Sequence, residues 1–355
     1  MPNHRPTLAG LGLAAVLAGA LAAPAAAADL PRSVVATKLN NPRGVTFAPN
    51  GALTVAEAGR GGSTCVKQIG CLGFTSSIAQ ITSTGVKRIA AGILSGGAPD
   101  GSFAGGATDV TFDSVGRPVV VTNGVPPKGI PYKLRRQGSR LARVGGRSFL
   151  ALANLATIEV ATNPDKQDVN PNPYGVERVG SVYYVIDAGG NDVLAVDGVR
   201  RKVSVAAVIP NPAPKVQPVP TAITAGADGA LYIAELAPGR NVGQVIRFVP
   251  GGAATAVASG LPSATGIAVA ANGTIYLSLF GTGAPEAAPR TGRVMQIAPD
   301  GTKTIIATKL NYPAGMALGA DGDLYLSNNS TLSSRAARGG PFRGLTGEVV
   351  RIDLP

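Results

Sequence analysis

Apolar residues in this chain come in short alternating runs, not at the three-and-four spacing of an amphipathic helix. Residues 41–59, NPRGVTFAPNGALTVAEAG, set the pattern: a short apolar stretch, a tight polar turn, then an alternating stretch. The rhythm returns in residues 106–124 (GATDVTFDSVGRPVVVTNG), 172–190 (NPYGVERVGSVYYVIDAGG), 219–237 (VPTAITAGADGALYIAELA), 263–281 (SATGIAVAANGTIYLSLFG) and 312–330 (YPAGMALGADGDLYLSNNS). Period-two alternation predicts half-buried strands. The Asn-Gly and Asp-Gly pairs between them supply the positive φ of a hairpin turn. Most units continue into a second hairpin, as in QVIRFVPGGAATAVASG (244–260) and RVMQIAPDGTKTIIATKL (293–310).

Four strands per unit and six units describe a β-propeller. Glu57, Asn123, Asp187, Glu235, Leu279 and Asn328 are equivalent points, spaced 66, 64, 48, 44 and 49 residues apart. The last unit ends one strand short, at GEVVRIDLP. The missing strand stands at the other end of the chain, where SVVATKL (33–39) repeats the outer-strand sequence TIIATKL (304–310). The pattern therefore predicts an all-β, six-bladed propeller over residues 29–355, its N-terminal strand closing the last blade. A closed ring leaves only short, protected strand edges. The near-identical ATKLNNPRG (36–44) and ATKLNYPAG (307–315) are then the same link, from an outer strand into the next inner strand.

Residues 1–28 fall outside this pattern. A basic start, an apolar stretch of small residues and an Ala-Ala-Ala before Asp29 predict a secretory signal peptide. The protein is expected to be secreted or periplasmic, without a transmembrane segment, and a monomer. Removing the leader removes His4, the only histidine, and Arg5. The remainder carries 31 basic against 20 acidic residues, 31 − 20 = +11. Without histidine, Ser-His-Asp and Cys-His catalysis and imidazole metal ligation are excluded. Cys65 and Cys71 are read as a loop disulfide.

In a propeller, the starts of the inner strands and the ends of the second strands surround the central channel on one face. This rule places Glu57, Asn123, Asp187, Glu235, Leu279 and Asn328 around the channel mouth, with Asp109 and Asn172 at inner-strand starts. No cofactor is demanded by this set. Oxygen ligands alone would suit Ca²⁺; the competing expectation is a ring of structural polar groups. The loops after the second strands hold Arg60, Lys67, Lys128, Lys133, Arg135, Arg136, Arg240, Arg290, Arg335, Arg338 and Arg343, with Glu286 their single acid, 11 − 1 = +10. Arg135, Arg136, Arg335, Arg338 and Arg343 form the candidate rim for an anionic small molecule, polymer or protein. Nucleic acid is not expected: the loops offer few stacking rings (Phe74, Tyr132, Phe342) and no recognition motif.

The segments NPRGVTFAPNG, ANLATIEVATNPD (153–165), NPNPYGV (170–176), DAGGNDVL (187–194), DGALYIAEL and LYLSNN together resemble the ScyD/ScyE family. That resemblance implies an exported six-bladed propeller of the NHL and gluconolactonase-like type and says little about activity. Relative to calcium-dependent lactonase propellers, Arg43, Thr221, Thr265 and Ala314 stand where oxygen ligands would be needed. Two functions remain open: a binder acting through its basic face, and a Ca²⁺-dependent hydrolase or lactonase using Glu57, Asp187 and Glu235 in the channel.

Overall fold

A computed structural model describes residues 29–67, 70–124, 130–239, 241–281, 288–335 and 342–355. Residues 1–28, expected to be a signal peptide, and Lys128, Arg240, Glu286 and Arg338 lie outside the described residues. The chain opens with β1 (Arg32–Leu39) and then builds six blades, each running outward from the channel. Blade 1 holds β2 (Pro42–Phe47), β3 (Leu53–Glu57), β4 (Thr64–Val66), β5 (Gly70–Thr82) and β6 (Gly85–Gly97). Blade 2 holds β7 (Ala107–Phe112), β8 (Pro118–Thr122), β9 (Arg140–Gly145) and β10 (Ser148–Asn154), with the short helix α1 (Tyr132–Arg135) between β8 and β9. The helix α2 (Ala156–Thr162) follows. Blade 3 is β11 (Pro173–Val179), β12 (Val182–Asp187), β13 (Asp192–Asp197) and β14 (Val203–Val208). Blade 4 is β15 (Pro220–Ala225), β16 (Leu231–Glu235), β17 (Gly243–Phe248) and β18 (Ala254–Leu261). Blade 5 is β19 (Ala264–Val269), β20 (Ile275–Leu279), β21 (Gly292–Ile297) and β22 (Lys303–Leu310). Blade 6 is β23 (Met316–Leu318), β24 (Leu324–Asn328) and β25 (Gly347–Ile352), completed by β1. The chain is a six-bladed β-propeller.

Burial follows position in the blade. Second strands such as β3 and β20 are buried at every residue, the polar Thr54, Glu57 and Ser278 included, so they are fully buried where alternation predicted half-buried strands. Outer strands such as β14 and β18 are exposed or half-buried at nearly every residue. The core lies between blades: Val119, Val121 and Leu141 of blade 2 pack on Val176, Val185 and Leu194 of blade 3. Ala36 and Leu39 of β1 join Val45 and Val55 of blade 1. The closing strand is therefore anchored by apolar burial as well as by its antiparallel pairing to β25. The first-to-second strand turns of four blades share one device. The Oδ1 of Asn50, Asp228, Asn272 or Asp321 accepts the N–H two residues on, and the following Gly takes positive φ, +80° at Gly51 and +75° at Gly229.

The duplicated links share one backbone. Lys38 and Lys309 have φ of 59° and 58°, and Asn41 and Tyr312 have φ of 48° and 45°.

Residues 58–76, expected as a loop, contain a hairpin. β5 and β6 are each 13 residues long and run on past the blade as a ribbon, with β4 paired to the extension. The apolar side chains of that stretch explain it: Leu72 and Leu94 bury against Ile130 and Leu134, the latter on α1, with Phe74 alongside. Cys65 and Cys71 face each other across β4 and β5 and form the disulfide. No helix among the described residues is long and apolar enough to cross a membrane.

Candidate functional site: channel, link ring and upper face

The inner strands line a narrow channel. Its upper part holds a cavity of about 40 Å³ bounded by Arg43, Thr108, Asp109, Thr221, Thr265 and Ala314. Its lower part opens to about 290 Å³ beside Thr46, Thr111, Glu177 and Thr224. Asp109 borders both. A Cβ on Gly44 would stand 1.9 Å from Asp109 Oδ1, so only glycine lets that carboxyl reach across the neck.

The polar side chains of the channel join each blade to the next. Arg43 Nη2 donates to Ala104 O at 2.8 Å, from blade 1 to the strand entry of blade 2. Asp109 Oδ2 accepts Val176 N–H of blade 3 at 2.9 Å. Glu177 Oε2 accepts Ala225 N–H of blade 4 at 3.3 Å. Thr221 Oγ1 donates to Ala264 O of blade 5 at 2.7 Å. Thr265 Oγ1 donates to Pro313 O of blade 6 at 2.6 Å. Ser327 Oγ returns to Arg43 O of blade 1 at 2.8 Å. Six bonds thus close the circle, and the threonines at the inner-strand starts are inter-blade ties. Burial pushes the Asp109 carboxyl up to about 7.

The second strands end at Glu57, Thr122, Asp187, Glu235, Leu279 and Asn328, and Asn123 lies one residue past β8. Four of them accept the N–H of the incoming link in their own blade: Glu57 from Asn40 (2.8 Å), Asn123 from Gly106 (2.8 Å), Asp187 from Asn172 (2.7 Å) and Asn328 from Asn311 (2.8 Å). Asn172 takes part here through its backbone. Glu57 is fully buried, and Arg88 Nε and Nη2 clamp its two oxygens at 2.8 Å each, with Ser77 Oγ at 2.7 Å. Glu235 Oε2 accepts Gln244 N–H at 3.0 Å and Oε1 has no partner. Burial pushes its carboxyl up to about 8. In blade 5 the link is only residues 262–263, and Leu279 fills the position with apolar volume. Among the described residues, no three Asp, Glu, His or Cys side chains are grouped as a metal site. At Glu57, Asn123, Asp187 and Asn328 the ring is thus built of blade-by-blade caps, while Asp109 ties blade 2 to blade 3, Glu235 caps Gln244 and Asn172 enters through its backbone.

The upper face, made of links and second-strand loops, carries the loop bases. Among the described residues there are seven ion pairs: Arg88–Glu57, Arg117–Asp113, Arg143–Asp113, Arg200–Asp197, Arg247–Asp228, Arg351–Asp323 and Arg351–Asp353. None uses Arg60, Lys67, Lys133, Arg135, Arg136, Arg290, Arg335 or Arg343. The links add acids that a count of loops alone leaves out: Asp100, Asp165 and Asp168 share this face.

The bases fall into two places. Lys133, Arg135 and Arg136 stand on or beside α1, where Arg135 Nε donates to Ile130 O at 2.9 Å. Arg60, Arg290, Arg335 and Arg343 lie on or beside the segments that carry a group of rings. Tyr312 is buried at its centre, with ring centroids 5.0 Å from Phe280, 5.5 Å from Phe342 and 6.3 Å from Phe103. Phe103 is 61% exposed and its backbone N–H donates to Thr331 O at 2.9 Å. Arg343 follows Phe342 in the chain. Arg290 N–H donates to Asn311 Oδ1 at 2.8 Å, one residue before Tyr312. A Cβ on Gly101 would lie 3.0 Å from Arg60 Cβ and 3.6 Å from Ser333 Oγ, two residues before Arg335.

Phe103, Phe280 and Tyr312 were not among the expected ring-bearing residues. One signal does stand in the sequence. In the first link the left-handed position is Asn41, whose Nδ2 donates to Gly59 O (2.7 Å) and Gly101 O (2.8 Å) and whose Oδ1 accepts Ala104 N–H (3.1 Å). In the second copy a tyrosine holds the same backbone, where Asn is tolerated and a bulky residue costs about 1–2 kcal/mol.

No family model matches the chain, and no curated protein matches it in sequence. Solved structures do match in fold. One is regucalcin from Agrobacterium tumefaciens, described as a calcium-binding protein: 13% identity, 91% of this chain and 94% of that one, TM-score 0.55. A second is an auxiliary nutrient binding protein from Bacteroides thetaiotaomicron: 8% identity, 91% and 76% covered, TM-score 0.54. A third is a luciferin-regenerating enzyme: 11% identity, 91% and 95% covered, TM-score 0.53. These neighbours are six-bladed β-propellers, and at such identities the likeness is one of architecture.

Proposed function

We propose that this protein is an exported β-propeller that binds an anionic, ring-bearing small molecule on its upper face, at the Phe103–Phe280–Tyr312–Phe342 group. One observation carries the reading: Arg60, Arg290, Arg335 and Arg343, which enter no ion pair among the described residues, lie on or beside the segments that bring together an aromatic cluster with one exposed ring, Phe103. Guanidinium groups beside exposed rings offer charge to an anion and a flat apolar face to its ring system. Export rests on the leader pattern of residues 1–28, and the Cys65–Cys71 disulfide suits an oxidising compartment. The resemblance to ScyD/ScyE proteins points the same way.

Binding of 8-anilinonaphthalene-1-sulfonate, followed by its fluorescence, tests the proposal against uncharged N-phenyl-1-naphthylamine. The sulfonate should bind more tightly than the neutral compound. Its affinity should fall as salt is raised from about 0.05 M to about 0.5 M, which shortens the screening length roughly threefold. The double variant Arg335→Ser/Arg343→Ser should lose roughly tenfold, about 1.4 kcal/mol, and Phe103→Ser a similar amount. Equal binding of both compounds, indifferent to salt and to the variants, would rule the site out.

A further inference from the structure

Blade 3 contains a second cluster that the ring does not explain. The helix α2 and the segment after it bring Glu159 and Asp165 over the turn from β12 to β13, which carries Asp187, Gly189, Gly190, Asn191 and Asp192. Asp165 Oδ2 accepts Asn191 Nδ2–H at 2.7 Å, fixing the two segments together. Glu159 is 2% exposed, and Asp187 and Asp192 are 1% exposed. A Cβ on Gly190 would lie 3.0 Å from Glu159 Oε2 and 3.5 Å from Asp187 Cγ, so the absent side chain leaves a space bounded by both carboxylates.

The hydrogen bonding is lopsided. Asp187 Oδ1 accepts three backbone N–H groups, from Asn172 (2.7 Å), Gly189 (3.0 Å) and Gly190 (2.9 Å), which hold the carboxylate in place. Its Oδ2 has no partner. The same holds for Oδ1 of Asp192, for Oδ1 of Asn163 at the end of α2, and for both oxygens of Glu159 apart from an approach by the Asn170 N–H that falls short of a well-formed hydrogen bond. Every one of these five atoms is an oxygen. None of the ion pairs among the described residues reaches Glu159, Asp165, Asp187 or Asp192. Burial pushes the Asp192 carboxyl up to about 9, and Asp187, Glu159 and Asp165 add like-charge repulsion.

Buried carboxylates are stable only when something compensates them. A proton is a poor answer here. A protonated carboxyl donates one hydrogen bond, which answers one of the bare oxygens and leaves the rest unmet. What this corner lacks is a positive centre able to take several lone pairs at once. Histidine, cysteine and methionine are absent from it, so the centre is a hard cation. No three acidic side chains already surround one point among the described residues; the binding pair is therefore Glu159 with Asp187, and neutral oxygens fill the remaining positions. Mixed carboxylate, amide and backbone oxygens on irregular segments suit Ca²⁺, which tolerates variable geometry, better than Mg²⁺, which demands a regular octahedron.

We infer that the space between Glu159 and Asp187, opened by Gly190, is a Ca²⁺ site that fastens α2 and its following segment to blade 3. It shares only Asp187 with the channel ring and stands apart from the upper aromatic group, so it is structural and independent of the proposed ligand site.

The test uses the purified full chain, stripped with chelator and dialysed, then titrated with CaCl₂ by calorimetry and by thermal unfolding. One Ca²⁺ per chain is expected, with a rise in melting temperature that millimolar Mg²⁺ does not reproduce. Glu159→Gln should weaken Ca²⁺ binding at least tenfold while leaving the melting temperature of the stripped protein equal or higher, because one uncompensated charge is gone. Asp192→Asn, which changes the surrounding charge and not the binding pair, should weaken it less. Absence of any Ca²⁺-dependent shift in the stripped wild type would overturn the inference. So would an undiminished response in Glu159→Gln, since the ion would then sit elsewhere.

Discussion

Blades 1, 3 and 4 place an acid at the end of the second strand, and the three acids meet different surroundings. Glu57 has both oxygens taken up by Arg88, Ser77 and the Asn40 N–H. Asp187 has one oxygen satisfied by three backbone N–H groups and the other left with no partner. Glu235 has one backbone donor and one bare oxygen. The topological position is the same; the compensation is not. An acid at a repeated position in a propeller is thus a cap by default, because the link commonly delivers an N–H there. It becomes something more only where the blade withholds the rest of its partners.

The largest effect should come from breaking the compensated case. Arg88→Met leaves Glu57 buried and unpaired, and chemical denaturation should show a loss of about 3–5 kcal/mol. A loss below about 1 kcal/mol would mean that the Arg88–Glu57 pair does not carry blade 1. A smaller effect, opposite in sign, is expected at Glu235. Its folded carboxyl titrates at about 8, above the usual 4.5, so between those values the folded state holds a proton that the unfolded state has released. Stability contributed by the neutral carboxyl is full below about 4.5 and is lost as pH rises toward 8. Glu235→Gln should therefore match wild type near pH 4 and exceed it near pH 9; the full shift, 8 − 4.5 = 3.5, would be worth about 5 kcal/mol at about 1.4 kcal/mol per tenfold change, and relaxation and water entry around the charged carboxylate bring the expected gain to about half of that. A variant equally destabilised at both pH values would show that Glu235 is already compensated.

Much of the architecture is legible because it follows from local rules. Alternation marked the strands, Asn-Gly and Asp-Gly marked the turns, and the repeated ATKLN announced that β1 closes blade 6. The ends of the second strands could be placed to within a residue. The partners of those ends could not. Whether Glu57 meets a cation depends on Arg88, 31 residues on and across a strand pair. The hairpin of β4 with β5 replaced an expected loop because Leu72 and Phe74 found an apolar partner in α1 and its approach. The aromatic group draws on four segments, at residues 103, 280, 312 and 342, that no local pattern relates. Tyr312 alone gave a clue, by standing where the sister link has Asn41 and needs a positive φ.

The upper and lower faces supply the most direct test of the proposed function. Several lower-face arginines come with their own acids, as Arg117 does with Asp113, Arg200 with Asp197 and Arg247 with Asp228, though Arg147 and Arg201 do not, whereas none of the upper-loop bases among the described residues has an ion pair. Nuclear magnetic resonance of the labelled protein, titrated with 8-anilinonaphthalene-1-sulfonate, reads both faces in one experiment. The account predicts shifts concentrated at Phe103, Phe280, Tyr312, Phe342 and Arg343, with the lower turns unmoved. Shifts concentrated at Arg117, Arg200 and Arg247, or scattered over both faces, would contradict it.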